Sequence, residues 1–321
     1  MGNALVDVLT ILKSDGTLKD FDLPKGSMQL VSKEFSNRLL AGTLGLQKHQ
    51  SSGGSAANTI HGLAHLGVET GFVGKIGKDN LGKFFEKDLM DNKINPVLFH
   101  DLDETGRSIA LVSKDTERTM ATFLGAAGDL HQEDVEADIF EGYKYFHLEG
   151  YLVQNRELIR KAVRVAKAHD LIISLDMATY NIVSENRDFL EKLVRENVDI
   201  LMANESEAEA LTGKKAKGAL DAMADMAEVA VLKMGKDGSM LKRGEEKCKI
   251  GIEKVNSIDT TGAGDLYAAG FLYGYCNGQS LESCGKIGTI LGGHTTEVIG
   301  AKMDEPKWKI VKEKVNKIYC V

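Results

Sequence analysis

The chain has 321 residues, 43% of them apolar and 27% charged, enough to bury the core of one large α/β domain. Against 40 basic residues stand 47 acidic ones, a net charge of −7 that argues against nucleic acid or an anionic membrane surface as the main partner. No apolar run approaches the roughly 20 residues of a membrane span. No secretory segment precedes Gly2, and Cys248, Cys276, Cys284 and Cys320 form no Cys-x-x-Cys pair, so free thiols and a cytoplasmic location are expected.

Leu5 to Leu12 is an apolar, β-branched run that predicts a strand, interrupted by Asp7, an acid that is costly there unless it meets a partner or a ligand. Ser14 to Thr43 reads as irregular, with a turn at Pro24-Lys25-Gly26. Ser51-Ser52-Gly53-Gly54-Ser55-Ala56-Ala57-Asn58 leads into helical spacing over Thr59–Leu66, Gly67 ends that helix, and Gly71–Ile76 predicts the next strand. Asp79 to Asn92 is an amphipathic helix with Leu81, Phe84, Phe85 and Leu89 on one face.

Between Asn95 and Gly128 the period changes to two. Ser108–Ser113 and Arg118–Leu124, joined by Lys114-Asp115-Thr116-Glu117, predict a hairpin that pairs with the segment before residue 43. A small β-sheet lid, of about 8–43 and 95–125, is thus expected on a larger body. From Tyr145 strands and helices alternate: strands at 145–149, 171–176, 198–202 and 229–234, helices at 156–169, 185–196, 205–212 and 219–226. A short antiparallel pair near 239–252 and helices at 264–276, 280–296 and 305–319 close the chain. The pattern predicts a single α/β domain over 1–321, a doubly wound, Rossmann-like, mostly parallel sheet flanked by helices.

The stretch with most chemical content is Asp259-Thr260-Thr261-Gly262-Ala263-Gly264-Asp265, between a strand-like run (Lys249, Ile250, Gly251, Ile252, Val255) and a helical one. Two glycines around an alanine allow a sharp turn with uncovered amides, and a helix N-terminus there makes an anion site. Asp265 sets a carboxylate beside that anion, which raises the energy unless chemistry needs a base, so the combination suits phosphoryl transfer. The plainer reading has Thr261 capping the helix and Asp265 complementing its dipole.

Other candidates are weaker singly. Gly53-Gly54 allows a bend and close approach of a hydroxyl-bearing ligand, and Asn58 could bind a diol or simply start its helix. Asn204 and Glu207 follow a strand at the edge where open α/β sheets bind ligands, and could hold magnesium through water or cap a helix. Lys233-Met234-Gly235-Lys236-Asp237-Gly238 is a strand end running into a glycine turn where phosphates could sit. His61 and His65 lack the Glu of the metalloprotease pattern and read as two helix-surface histidines. There is no Gly-x-x-x-x-Gly-Lys-Ser/Thr, and Gly262-x-Gly264 lacks the third glycine of a dinucleotide fingerprint.

Together these residues resemble the ribokinase-like (PfkB) family of carbohydrate and nucleoside kinases over essentially the whole chain. The resemblance rests on Gly53 to Asn58 and, with more specificity, on Asp259 to Asp265. Gly2-Asn3-Ala4-Leu5-Val6-Asp7 and the run from Thr105-Gly106 through Glu117-Arg118-Thr119 to Gly125-Ala126 are most similar to the adenosine-kinase branch. Two departures stand out: only Met1 precedes Gly2, and Ala57 stands where eukaryotic adenosine kinases carry Gln.

The resemblance implies a Rossmann-like core with a lid that closes over the acceptor. It makes Asp265 the base, the amides of Gly262, Ala263 and Gly264 the anion hole, and Arg118 a lid-borne arginine finger. Asn3, Asp7, Gly54 and Asn58 would hold sugar hydroxyls, with Leu5 against a base. Asn204, Glu207, Lys233, Gly235, Gly238 and Thr261 would serve the nucleotide, with Glu207 holding Mg2+ through water and 292–300 bordering the adenine. ATP and Mg2+ are the implied cofactors, with K+ a further candidate. The implied reaction phosphorylates a primary hydroxymethyl group of a nucleoside, adenosine first, in a monomer or homodimer. The alternatives are a sugar kinase of ribokinase or fructokinase type, a non-catalytic nucleoside-binding regulator, and a nucleotide-dependent dehydrogenase, the last disfavoured by the missing fingerprint.

Overall fold

Apolar residues on a β-branched backbone build β1 (Leu5–Ile11), which leaves Asp7 half-buried. The computed structural model describes residues 1–115 and 117–319, so Thr116 of the hairpin turn and Cys320 of the four thiols lie outside the described residues. Cys248, Cys276 and Cys284 are free. The stretch expected to be irregular instead carries α1 (Gly16–Asp20), β2 (Met28–Leu30) and α2 (Lys33–Gly42). Ser32 caps α2 by accepting from the Phe35 amide at 3.2 Å. Its apolar stripe is narrow, with Ser36 and Leu39 the buried positions, so the helical period is faint in the sequence.

β3 (Lys48–Gly53), α3 (Ser55–His65), β4 (Thr70–Gly77), α4 (Asn80–Asp91), β5 (Ile94–Asp101), β6 (Gly106–Val112) and β7 (Arg118–Phe123) follow. One sheet has the order β2-β7-β6-β1-β3, with β6 and β7 as the antiparallel hairpin and β2 parallel on β7. Two segments differ from the expected lid. β5 pairs in parallel with β4 along its whole length, because the α4 crossover returns the chain to the same sheet. β3, a polar run without apolar alternation, covers the outer edge of β1.

The larger layer adds β8 (Tyr145–Glu149), α5 (Arg156–Ala168), β9 (Ile172–Asp176), α6 (Tyr180–Glu185), α7 (Arg187–Asn197), β10 (Ile200–Asn204), α8 (Glu205–Thr212), α9 (Ala216–Ala224) and β11 (Val229–Lys233). β12 (Ser239–Arg243), β13 (Glu246–Ile250), α10 (Ala263–Cys276), α11 (Leu281–Thr295) and α12 (Glu305–Tyr319) complete it. β8 to β11 are parallel, and β12 and β13 continue the sheet antiparallel. The helix expected at 185–196 is broken at Asn186, and the strand-like run before Asp259 ends at Ile250. Met1–Asn3 joins the two parallel blocks: the Met1 ammonium donates to His147 O at 2.8 Å and the Gly2 amide to Val73 O at 3.2 Å.

Alternation along the buried strands sorts side chains to two helical layers. Leu201 and Ala203 of β10 pack with α5, α7 and α9, whereas Ile200 and Met202 pack with α3, α10, α11 and α12. This is the doubly wound architecture. A third cluster (Leu12, Leu18, Leu39, Ile109, Leu111, Ala121) lies under the lid sheet. Among the described residues no helix is long and apolar enough to cross a membrane.

Candidate active site

The parallel strands β8, β9, β10 and β11 end on polar residues, Glu149, Asp176, Asn204 and Lys233, with Glu149 in register with Asp176 and Asn204 with Lys233. That edge is where open α/β sheets bind ligands. The Lys233 ammonium donates to both Asp176 oxygens at 2.6 Å. Burial pushes Asp176 up to about 6 against the pull of Lys233, so the pair is ionised at neutral pH.

Facing this edge, Asp259 organises the loop before α10. Its Oδ1 accepts from the Thr261 amide (2.8 Å) and hydroxyl (2.7 Å), and its Oδ2 accepts from the Gly300 amide at 2.7 Å. Thr261 therefore does not cap the helix; Gly262 takes that position at φ +69°, a left-handed conformation that suits glycine. The Ala263 amide turns back to Thr260 O at 3.3 Å, which removes it from the expected trio of anion-binding donors. Among the described residues the amides of Gly262, Gly264 and Asp265 have no partner. A Cβ on Gly264 would stand 3.4 Å from the Lys233 ammonium, so that cation lies over the loop.

Asp265 accepts from Ser55 Oγ at 2.8 Å and Asn58 Nδ2 at 2.9 Å. Burial raises its carboxyl above the ordinary range, opposed by these two hydrogen bonds and by Lys233 and Lys302. Asn58, expected on a substrate diol, thus holds the carboxylate, and its own Oδ1 is buried without a partner. Asn3 donates through its backbone and side chain to Glu149 Oε1, at 2.9 and 2.6 Å. Its side-chain donor is occupied within the protein.

Asp7 opens into the same cavity and is pushed up to about 7 by burial, with Lys302 opposing and Asp265 adding to the rise. A Cβ on Gly53 would fall 2.2 Å from Asp7 Oδ2, and one on Gly54 (φ +99°) 2.3 Å from Asn3 O, so both glycines make room for this end. Leu5, Met120 and Leu124 line the cavity, whereas Phe123 is buried under the Arg107 guanidinium. Arg118 reaches from β7 to Asp259 Oδ1 at 3.1 Å, so it braces the signature loop from the lid.

Asn204 and Glu207 form a capping box, with the Asn204 amide and Nδ2 donating to the two Glu207 oxygens at 2.8 and 2.6 Å. Burial pushes Glu207 up to about 8. With both oxygens engaged, and no three-acid cluster among the described residues, this donor set fits magnesium through water and not by direct ligation. Gly235 (φ +52°) and Gly238 (φ +85°) make the tight turn beyond Lys233, and Gly292, Gly293, Thr296 and Glu297 border the same cavity of about 1640 Å³.

Of the two helix histidines His61 is not a surface residue, and His65 is half-buried. His61 is buried against Asp88 Oδ2 at 2.7 Å, and His65 stacks on Trp308 with centroids 4.5 Å apart. Sequence reading missed Ser55, Glu149, Asp176 and Lys302. Glu149 and Asp176 left a signal, an acid closing an apolar strand; Ser55 lies inside the Gly53–Asn58 stretch with no role assigned to it, and Lys302 left none.

A doubly wound sheet with a β lid, free amides at a helix N-terminus and a buried carboxylate beside them define a phosphotransferase with an alcohol as acceptor. Residues 38–308 match the pfkB family carbohydrate kinase model, and the chain belongs to that family. It is similar to the crystal structure of adenosine kinase from Sinorhizobium meliloti, at 34% identity, 98% and 97% coverage of the two chains and a TM-score of 0.89. A probable sugar kinase from Rhizobium etli compares at 33% identity, 98% and 96% coverage and a TM-score of 0.88. A 5-dehydro-2-deoxygluconokinase from Listeria monocytogenes is 30% identical over 270 residues, 79% of this chain and 82% of that one. Membership implies ATP and usually Mg2+.

Proposed function

We propose that this kinase transfers the γ-phosphoryl group of ATP to the 5′-hydroxyl of a ribonucleoside, adenosine first. The observation that carries the acceptor class is the apolar slot beside Asp7. Leu5 stands on the strand face that carries Asp7, Met120 and Leu124 come from the lid hairpin, and Leu30 of β2 lines the same space while 47% exposed. Large apolar side chains open to a cavity suit a flat base better than a free sugar, which needs polar partners around it. Overall similarity does not choose, since an adenosine kinase and a probable sugar kinase stand at 34% and 33% identity.

In this reading Asp7 accepts from the ribose hydroxyls and Asp265 takes the proton of the 5′-hydroxyl as its oxygen attacks phosphorus. The amides of Gly262 and Gly264, with Lys233, receive the charge on the transferring group. Mg2+, held through water by Glu207, would neutralise phosphate charge when bound. The sheet carrying β7 closes as a lid about Gly53-Gly54, and Arg118 moves with it.

Thermal-shift and ATP-consumption assays with adenosine, inosine, ribose and fructose side by side test the acceptor. Adenosine should raise the melting point and stimulate turnover; binding at a hundredfold excess over Kd stabilises by about 2.7 kcal/mol. Turnover with ribose or fructose and none with adenosine would move the chain to the sugar-kinase side.

A further inference from the structure

Behind the site lies a cation that none of the chemistry above uses. Lys302 follows Gly300, whose amide is held by Asp259, and Ala301, which packs against Gly262; Met303 beyond it is in the core. The segment is thus clamped to the signature loop on one side and to the core on the other. The Lys302 ammonium is shut off from solvent and has no hydrogen-bond partner among the described residues. Its charge acts on three carboxylates from three elements: Asp88 of α4, Asp7 of β1 and Asp265 of α10. His61 and His65 of α3 also feel its charge.

Asp7 and Asp265 share one cavity and repel each other, each favouring the protonated form of the other. The reaction needs both ionised, one to orient the acceptor and one to take its proton. Arg118 also offsets Asp7, but it belongs to the lid sheet and its partner is Asp259. Lys233, ion-paired with Asp176, offsets Asp265 more than Lys302 does but is not among the charges that act on Asp7. Lys302 lies outside the lid sheet, next to the signature loop, and acts on both carboxylates in this arrangement, although Asp7 itself stands on β1 of that sheet. We infer that Lys302 is a positioning residue, a built-in counter-cation that keeps Asp7 and Asp265 charged together in the resting site.

Asp88 competes for this ammonium. It is held well below the usual carboxylate range, at about 2: burial opposes this, but the His61 hydrogen bond and Lys302 outweigh it. His61, pushed down to about 4 by burial, is neutral near pH 7, so Asp88 remains an unneutralised rival. Burial likewise pushes Lys302 down to about 8, opposed by Asp88, Asp7 and Asp265, and the cation persists through the neutral range.

The test is the pH profile of kcat/KM for Lys302→Met and Asp88→Asn, read with whichever panel acceptor the unaltered protein turns over. A wrong acceptor assignment then shows in the unaltered protein, separately from the comparison. Lys302→Met should move the acid limb up by about 1 to 2 pH units, with activity recovering as the pH is raised. Asp88→Asn should move it the other way by a smaller step, since the ammonium is then left to Asp7 and Asp265. A merely structural lysine would lower the melting point and leave both limbs in place, and that result overturns the inference. If Lys302→Met does not fold, Asp88→Asn decides alone: an unmoved or raised acid limb rejects it.

Discussion

At the phosphoryl end of the cavity the consecutive residues Asp259 to Asp265 supply the turn, the free amides and the carboxylate, whereas the acceptor end is assembled from distant stretches. Leu5 and Asp7 come from β1, Gly54 and Asn58 from the start of α3, and Met120 and Leu124 from the lid hairpin. The first end is a local device: a helix start presents amides wherever glycine allows the turn. The second exists only when two sheets meet. The ends touch through Asp265, whose carboxylate is held by Ser55 and Asn58 of the acceptor side. Damage to the local device should therefore act on turnover, and damage to the assembled end on acceptor affinity.

The largest expected effect is that of Asp265→Asn, which should leave folding and ATP binding nearly intact and lower kcat by at least about 10²–10⁴-fold. Undiminished turnover in a folded variant would remove the base from the phosphoryl end and break the comparison there.

Gly53→Ala acts on the other end. Its methyl would press on the Asp7 carboxylate, 2.2 Å from Oδ2, while Asp265 and the free amides are untouched. Acceptor KM should rise about tenfold, equivalent to about 1.4 kcal/mol, with the Kd for ATP unchanged. Equal losses for both ligands would mean that the ends are not separable.

The smallest effect is in pH. Burial raises Asp7 from 3.8 to about 7, so acceptor affinity should fall as the pH drops below about 7. Stability runs the opposite way: a carboxyl raised by folding contributes fully below its unfolded value and loses that contribution as pH rises through the folded one. Between about pH 4 and 7 the unliganded protein should lose stability that Asp7→Asn does not lose. Parallel melting curves for the two proteins across that range would show the idea wrong.

Much of this molecule was legible in one dimension. The alternation from Tyr145 onward marks buried parallel strands because such strands read as short apolar runs between helical periods. The heptapeptide at Asp259 was legible because its chemistry is contiguous. The helix at Lys33–Gly42 was not, since few of its side chains are buried, and the strand at Lys48–Gly53 was not, since its pairing comes from β1 and not from its own polar residues. His61 looked like a surface residue because nothing in its own helix announces that Asp88 lies across from it.

The sequence by itself determined the sheet class, the position of the candidate base and the glycines of the proposed anion site, because each depends on neighbours in the chain. The tertiary structure decided what the charges are for. It gave Asn58 to Asp265, Asn3 to Glu149, Lys233 to Asp176 and Arg118 to Asp259, and it set Lys302 behind Asp7 and Asp265. The physical reason is desolvation. A buried charge is costly without a partner, and which partner it meets depends on residues up to some two hundred positions away, such as Asp265 and Asn58 at a separation of 207.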